Sequence, residues 1–258
     1  MKIKINYFLL TFLLSLSLFV NISAQDIIYP KNSPEWLVDM FFNKTYFPDK
    51  ELYFIGDMLQ DVNYPTIGEE LDGRGNVSFR VIDFNDQNAV YSIDIKDNKS
   101  NVNFYCYLQN VSGNWKIEAV RKFEFPDFIY TSTDSLSRIE NLPDSVSSLL
   151  GSLKLMTGTD ENLKTFLTKN INNFYKIVSA FKNNETDILK FHMSKLNLDY
   201  IFIDDLYPRC IFILPGKFNR IEVGFIYSKN NSALPKITPG RYIYIEEVLL
   251  NWYVFRAM

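Results

Sequence analysis

Val77-Ser78-Phe79-Arg80-Val81 decides the fold. Val77, Phe79 and Val81 fall on one side of an extended chain while Ser78 and Arg80 fall on the other, the two-residue period of a half-buried strand. Tyr91, Ile93 and Ile95 repeat the pattern against Ser92 and Asp94, and Asn85-Asp86-Gln87-Asn88 supplies the turn between the two runs. Apolar stretches at 102–109 and 114–123 follow, joined through Ser112-Gly113-Asn114. The spacing predicts a four-stranded antiparallel meander.

Upstream, the period is helical. Ser33-Pro34 has the form of a helix start, with serine as N-cap and proline at the first helical position, and Trp36, Leu37, Met40 and Phe41 recur on one face over 34–44. A second short helix is expected over 52–59. Helices followed by a curved antiparallel sheet describe the α+β class.

Downstream, residues 131–159 turn rich in Ser, Thr and Asp and read as a linker with a short helix at 144–155. Asp160 then stands where a cap would begin the strongest helix of the chain, whose face carries Leu163, Phe166, Leu167, Phe174, Ile177, Val178 and Phe181. A shorter helix over 186–193 leads into apolar runs at 200–203, 210–214, 221–227, 242–245 and 251–255, punctuated by Pro and Gly. Helices before strands is thus stated twice. The expected organisation is a signal peptide at 1–24, a first α+β lobe at 25–130, the linker at 131–159 and a second α+β lobe at 160–258.

The first 24 residues carry Lys2 and Lys4, a fourteen-residue apolar core from Tyr7 to Val20 and a small-residue end at Ala24. Fourteen helical residues reach only about 21 Å, short of a hydrocarbon core of roughly 30 Å. The expectation is an exported protein, periplasmic or secreted, with no transmembrane segment after cleavage. The whole chain has 27 basic and 30 acidic residues, a formal charge of −3 that becomes −5 once Lys2 and Lys4 leave with the signal. An acidic chain without a basic run is unsuited to nucleic acid.

Tyr105, Tyr107, Val111, Asn114 and Trp115 recur as Tyr242, Tyr244, Val248, Asn251 and Trp252, at a constant offset of 137 positions. Each copy reads as strand, turn and a strand beginning Asn-Trp. With Gly113-Asn114-Trp115-Lys116-Ile117 the first copy resembles the closing hairpin of the NTF2-like superfamily of cystatin-like α+β folds, over about residues 33–123. Residues 160–258 resemble it more loosely through Asn251-Trp252-Tyr253-Val254. The resemblance implies a bent sheet wrapped around N-terminal helices, a fold that serves isomerases, dehydratases, transport factors and many exported domains without known activity alike. It carries no catalytic residue over.

No nucleophile elbow, Walker loop or dinucleotide fingerprint is present, and no cofactor is implied. His192 is the only histidine, which excludes a paired-histidine metal site, and no metal is expected. Glu69-Glu70 and Asp204-Asp205 read as solvated loop acids. Asp94 is the one candidate base, if its face of the sheet is concave; with Ser92 and Lys96 beside it, that face reads as solvent. Tyr105, Tyr107, Trp115, Tyr242, Tyr244 and Trp252 are candidate ligand-binding aromatics, or else cross-strand packing. Cys106 and Cys210 lie in apolar runs and read as buried free thiols, with a disulfide the alternative that export would permit. The functional expectation is a non-enzymatic binding or interaction protein for a protein, peptide or small molecule, with an isomerase or hydrolase using a carboxylate as the alternative.

Overall fold

The computed structural model describes residues 28–96 and 101–258. The expected signal segment and most of the 97–101 turn lie outside the described residues. Residues 31–258 form one compact α+β unit.

Ser33 Oγ accepts from Trp36 N at 3.1 Å and Pro34 opens helix α1 (Pro34–Phe42), which buries Leu37, Val38, Phe41 and Phe42. The helix expected over 52–59 is instead a single turn, α2 (Lys50–Tyr53), and a 3₁₀ segment at Gly56–Asp61. Gly56 explains the break: its φ of +56° is outside the right-handed helical region. Helix α3 (Ile67–Leu71) is opened by a capping box between Thr66 and Glu69.

The meander follows as β1 (Asn76–Phe84), β2 (Asn88–Lys96), β3 (Asn101–Val111) and β4 (Asn114–Lys122), antiparallel in sequence order. Asn85 Oδ1 accepts from Gln87 N and Asn88 N, the Asx turn expected between β1 and β2. Ser112 and Gly113 both have positive φ, the geometry that lets a two-residue turn follow the strand twist.

Both faces of this sheet are covered. On one, Tyr91, Ile93, Cys106, Leu108 and Ile117 pack with Leu37, Phe41 and Phe42 of α1. On the other, Val90, Tyr105, Tyr107 and Ala119 join the core of the following half. Ser92 is completely buried, so the face expected to be solvent is interior.

Residues 131–159 are largely helical: α4 (Asp127–Ser137) and α5 (Asp144–Thr157) occupy most of the stretch expected as linker. Helix α6 (Asp160–Lys182) is the longest element. Thr159, one residue before the expected cap, holds its start through a box with Asn162, and this frees Asp160 to turn inward. Leu163, Leu167, Phe174 and Ile177 of α6 are fully buried. Removing one such Phe costs roughly 3–5 kcal/mol in proteins generally.

After α7 (Thr186–Lys195) come β5 (Tyr200–Ile203), β6 (Ile211–Leu214), β7 (Lys217–Phe218), β8 (Ile221–Tyr227), β9 (Tyr242–Leu249) and β10 (Trp252–Ala257). They form an antiparallel sheet in the order β5-β6-β8-β10-β9, with β7 paired to β8. Gly224 is required where β8 meets β6: a Cβ there would lie 2.3 Å from Ile213 O. One face of this sheet packs beneath α6; the other, with Cys210, Phe212, Tyr242 and Phe255, is closed by Tyr207, Leu234 and Ile237. No helix among the described residues is long and apolar enough to cross a membrane.

Candidate functional site

Asp160 and Arg256 are at the centre of a polar seam where the meander meets the second sheet. Arg256 Nε donates to Asp160 Oδ1 at 2.6 Å, and both side chains are almost wholly buried. Tyr105 Oη donates to both Asp160 oxygens at 2.9 Å, and Arg256 Nη2 donates to Gly158 O at 2.6 Å. Phe123 lies under the guanidinium, 4.3 Å away. Burial and the Asp160 charge together push the Tyr105 hydroxyl well above its ordinary value, so it remains a donor.

A second cluster continues the seam. Arg80 Nη2 meets Glu246 Oε2 at 2.5 Å, Tyr244 Oη donates to the same oxygen at 2.5 Å, and Lys164 Nζ stands 3.3 Å away. Burial alone would raise Glu246, but hydrogen bonds from Arg80 and Tyr244 and the charges of Arg80 and Lys164 outweigh it and hold the carboxyl below its usual range. Asp94 stands 3.5 Å from Arg80 and accepts from Asn103 Nδ2. Burial raises Asp94, Arg80 opposes that, and the nearby Asp160 charge reinforces it; the net direction is upward. Three cations, Arg80, Lys164 and Arg256, thus face three carboxylates, Asp94, Asp160 and Glu246.

Beside the seam lies a cleft of about 860 Å³. Ile82 and Asp83 of β1, Val90 of β2, Tyr107 and Leu108 of β3 and Glu118 of β4 form one wall. Residues 234–239 and Ile245, Glu246 and Glu247 of β9 form the other. Among the described residues lining it are four acids, Asp83, Glu118, Glu246 and Glu247, and one cation, Lys236, while Arg121 reaches the wall by donating to Pro239 O at 3.0 Å. Glu246 is already neutralised by its partners, which leaves a cleft with an acidic excess and apolar residues on both walls.

The sequence candidates are distributed unevenly around this geometry. Tyr107 lines the cleft, with its hydroxyl donating to Ile243 O at 2.6 Å. Tyr105 and Tyr244 are buried ring against ring, 5.2 Å between centroids, and so line no open groove. Tyr242 points to the opposite side of β9 from Tyr244, because a register irregularity near Ile243 breaks the alternation. Its hydroxyl is pushed up to about 12 by burial. Trp252 is fully buried against Phe174 and Tyr227, while Trp115 is partly exposed beside Phe84. Asp94 sits in the seam and is not among the residues lining the cleft. Cys106 and Cys210 are free, buried thiols in separate clusters. Burial raises both of them.

The remaining expectations fall in loops and helix ends. Glu69, expected as a loop acid, is bound by Lys50 Nζ at 2.5 Å and by the Phe47 and Thr66 amides. Asp204 accepts from Leu206 N at 2.8 Å. His192 is buried on α7, with Nδ1 3.2 Å from Asn173 Oδ1. Among the described residues no three His, Cys, Asp or Glu side chains are grouped to hold a metal.

Asp160, Glu246 and Arg256 were missed by the sequence reading, although a lone arginine inside the apolar run Trp252–Ala257 is a signal that a buried acid awaits it. Compared with known proteins, the chain matches no family model, no curated protein and no solved structure.

Proposed function

We propose that the protein is an exported binding protein that takes a small amine-bearing ligand into the cleft between the meander and residues 234–247. The observation that carries this reading is the acidic excess of a cleft of about 860 Å³ whose two walls also carry the apolar residues Val90, Tyr107, Leu108 and Ile245. A cationic group would sit near Asp83, Glu118 and Glu247, and the apolar body would lie between the apolar wall residues. The volume falls in the roughly 300–1,000 Å³ range of ligand pockets.

In this reading residues 25–130 and 160–258 are two NTF2-like lobes descended from one α+β unit, and the seam is where they meet. Both repeated hairpins support it: β3–β4 and β9–β10 each turn at or next to an Asn-Trp pair, Asn114-Trp115 and Asn251-Trp252. The isomerase or hydrolase alternative draws little support from Asp94, whose carboxylate is engaged by Arg80 and Asn103.

The test is calorimetric titration with phenethylamine, benzyl alcohol and phenylacetate, followed by amide shift mapping. Saturable binding of the amine with shifts at Tyr107, Glu118 and Glu247 is expected. The double variant D83N/E247Q should weaken it about threefold to tenfold, as expected for partly exposed charge contacts. If none of the three compounds binds at the cleft, the binding reading fails.

A further inference from the structure

In the second sheet the register brings Ile203, Ile211 and Tyr227 side by side, Ile203 opposite Ile211 and Ile211 opposite Tyr227. This cross-strand row, with Pro208, forms the floor of a depression of about 350 Å³. Lys182, Arg209 and Lys229 stand around it, with Asn230 beside them. Each cation is there for a topological reason. Lys182 is the last residue of α6, Arg209 precedes the first residues of β6, and Lys229 follows β8, so three chain ends converge on one rim.

Among the described residues none of these three cations makes an ion pair. Lys182 instead lies over the Tyr227 ring, 4.8 Å from its centroid. Asp204 of the β5–β6 loop caps its own turn and exerts its charge on Arg241 and Tyr242. Asp205 is exposed. Three like charges gathered at one mouth repel one another, and a chain with a formal charge of −3 has acids to spare for them.

We propose that this depression binds a small organic anion, a carboxylate or phosphate monoester carrying one flat apolar ring. The ring would lie on Ile203, Ile211 and Tyr227 and exclude water there. The anionic end would take hydrogen bonds from Arg209 and the two lysines, a planar guanidinium being suited to a paired oxygen acceptor. A volume near 350 Å³ is at the small end of ligand pockets, which favours a single ring over a lipid chain.

Phenyl phosphate, inorganic phosphate and benzyl alcohol, titrated into the protein and followed by amide shift mapping and calorimetry, test the proposal. Phenyl phosphate should bind with shifts at Ile203, Ile211 and Tyr227, at least severalfold more tightly than either other probe. Affinity should fall with added salt. Each of K182A, R209A and K229A should weaken phenyl phosphate about twofold to fivefold, with unchanged circular dichroism because all three side chains are exposed. Equal binding of phenyl phosphate and benzyl alcohol, shifts confined to other parts of the protein, or a K182A/R209A/K229A triple variant that binds like the parent would each overturn it. Inorganic phosphate binding as tightly as phenyl phosphate would also overturn it, because the apolar row would then contribute nothing.

Discussion

Trp115 and Trp252 follow identical asparagines in hairpins 137 positions apart, yet one is partly exposed at the end of its sheet and the other is sealed in the core. Their strands are alike; their neighbours are not. Trp115 has Phe84 beside it, whereas Phe174 and Tyr175 of a long helix lie across Trp252. The turns differ as well. Ser112 and Gly113 both take positive φ, while at the second turn Asn251 does so and Leu250 does not. A repeated motif therefore specifies a hairpin, and what lies over the hairpin decides how much its tryptophan contributes.

The sharpest way to break this contrast is truncation. W252A should lose about 3–5 kcal/mol in urea unfolding, the cost usual for a buried Trp, and W115A well under half of that. Equal losses would mean that the helix over Trp252 contributes no more than the open sheet end. The buried pair near β10 should behave similarly: R256M alone leaves Asp160 uncompensated in the core and should cost about 3–5 kcal/mol. D160L/R256M should recover much of that loss, measured in the same unfolding assay. A double variant as unstable as the single one would show that the pair is more than a local neutralisation.

The extent to which this was legible in sequence follows from range. The meander could be read because its alternation and its Asn-rich turns are local, and α1 because Ser33 and Pro34 mark its start. Gly56 broke the expected second helix through a backbone conformation that periodicity does not register. In the 131–159 stretch the short helix expected at 144–155 is found as α5, but α4 was hidden because Ser, Thr and Asp are weak helix formers in isolation and depend on tertiary packing, here of Ile129 and Leu136. The seam was the least legible part. Arg80 and Glu246 are 166 positions apart, and Asp160 and Arg256 are 96 apart, so no local pattern joins them.

Smaller effects sharpen the comparison further. Glu246 has its folded pKa lowered, so its contribution is present above the unfolded value near 4.5 and is lost as pH falls through the folded value. Stability of the parent should therefore decline on acidification more than that of E246Q, by about 1 kcal/mol, in chemical unfolding at pH 6 and pH 3. An identical pH profile for the two would remove Glu246 from the seam's charge balance. At the turns, G113A should cost about 1 kcal/mol because its φ of +87° is strained for any side chain. N251G should be close to neutral, since glycine accepts the φ of +68° that Asn251 already adopts.

The indole Nε1 of Trp252 is buried and has no hydrogen-bond partner among the described residues. Its proton is held in place by exclusion of water alone, so it can exchange with solvent only when the layer between α6 and the second sheet parts. In deuterated buffer that single resonance would act as a clock for whole-core opening. The indole proton of the partly exposed Trp115, in the same spectrum, would report the fraying of the sheet end.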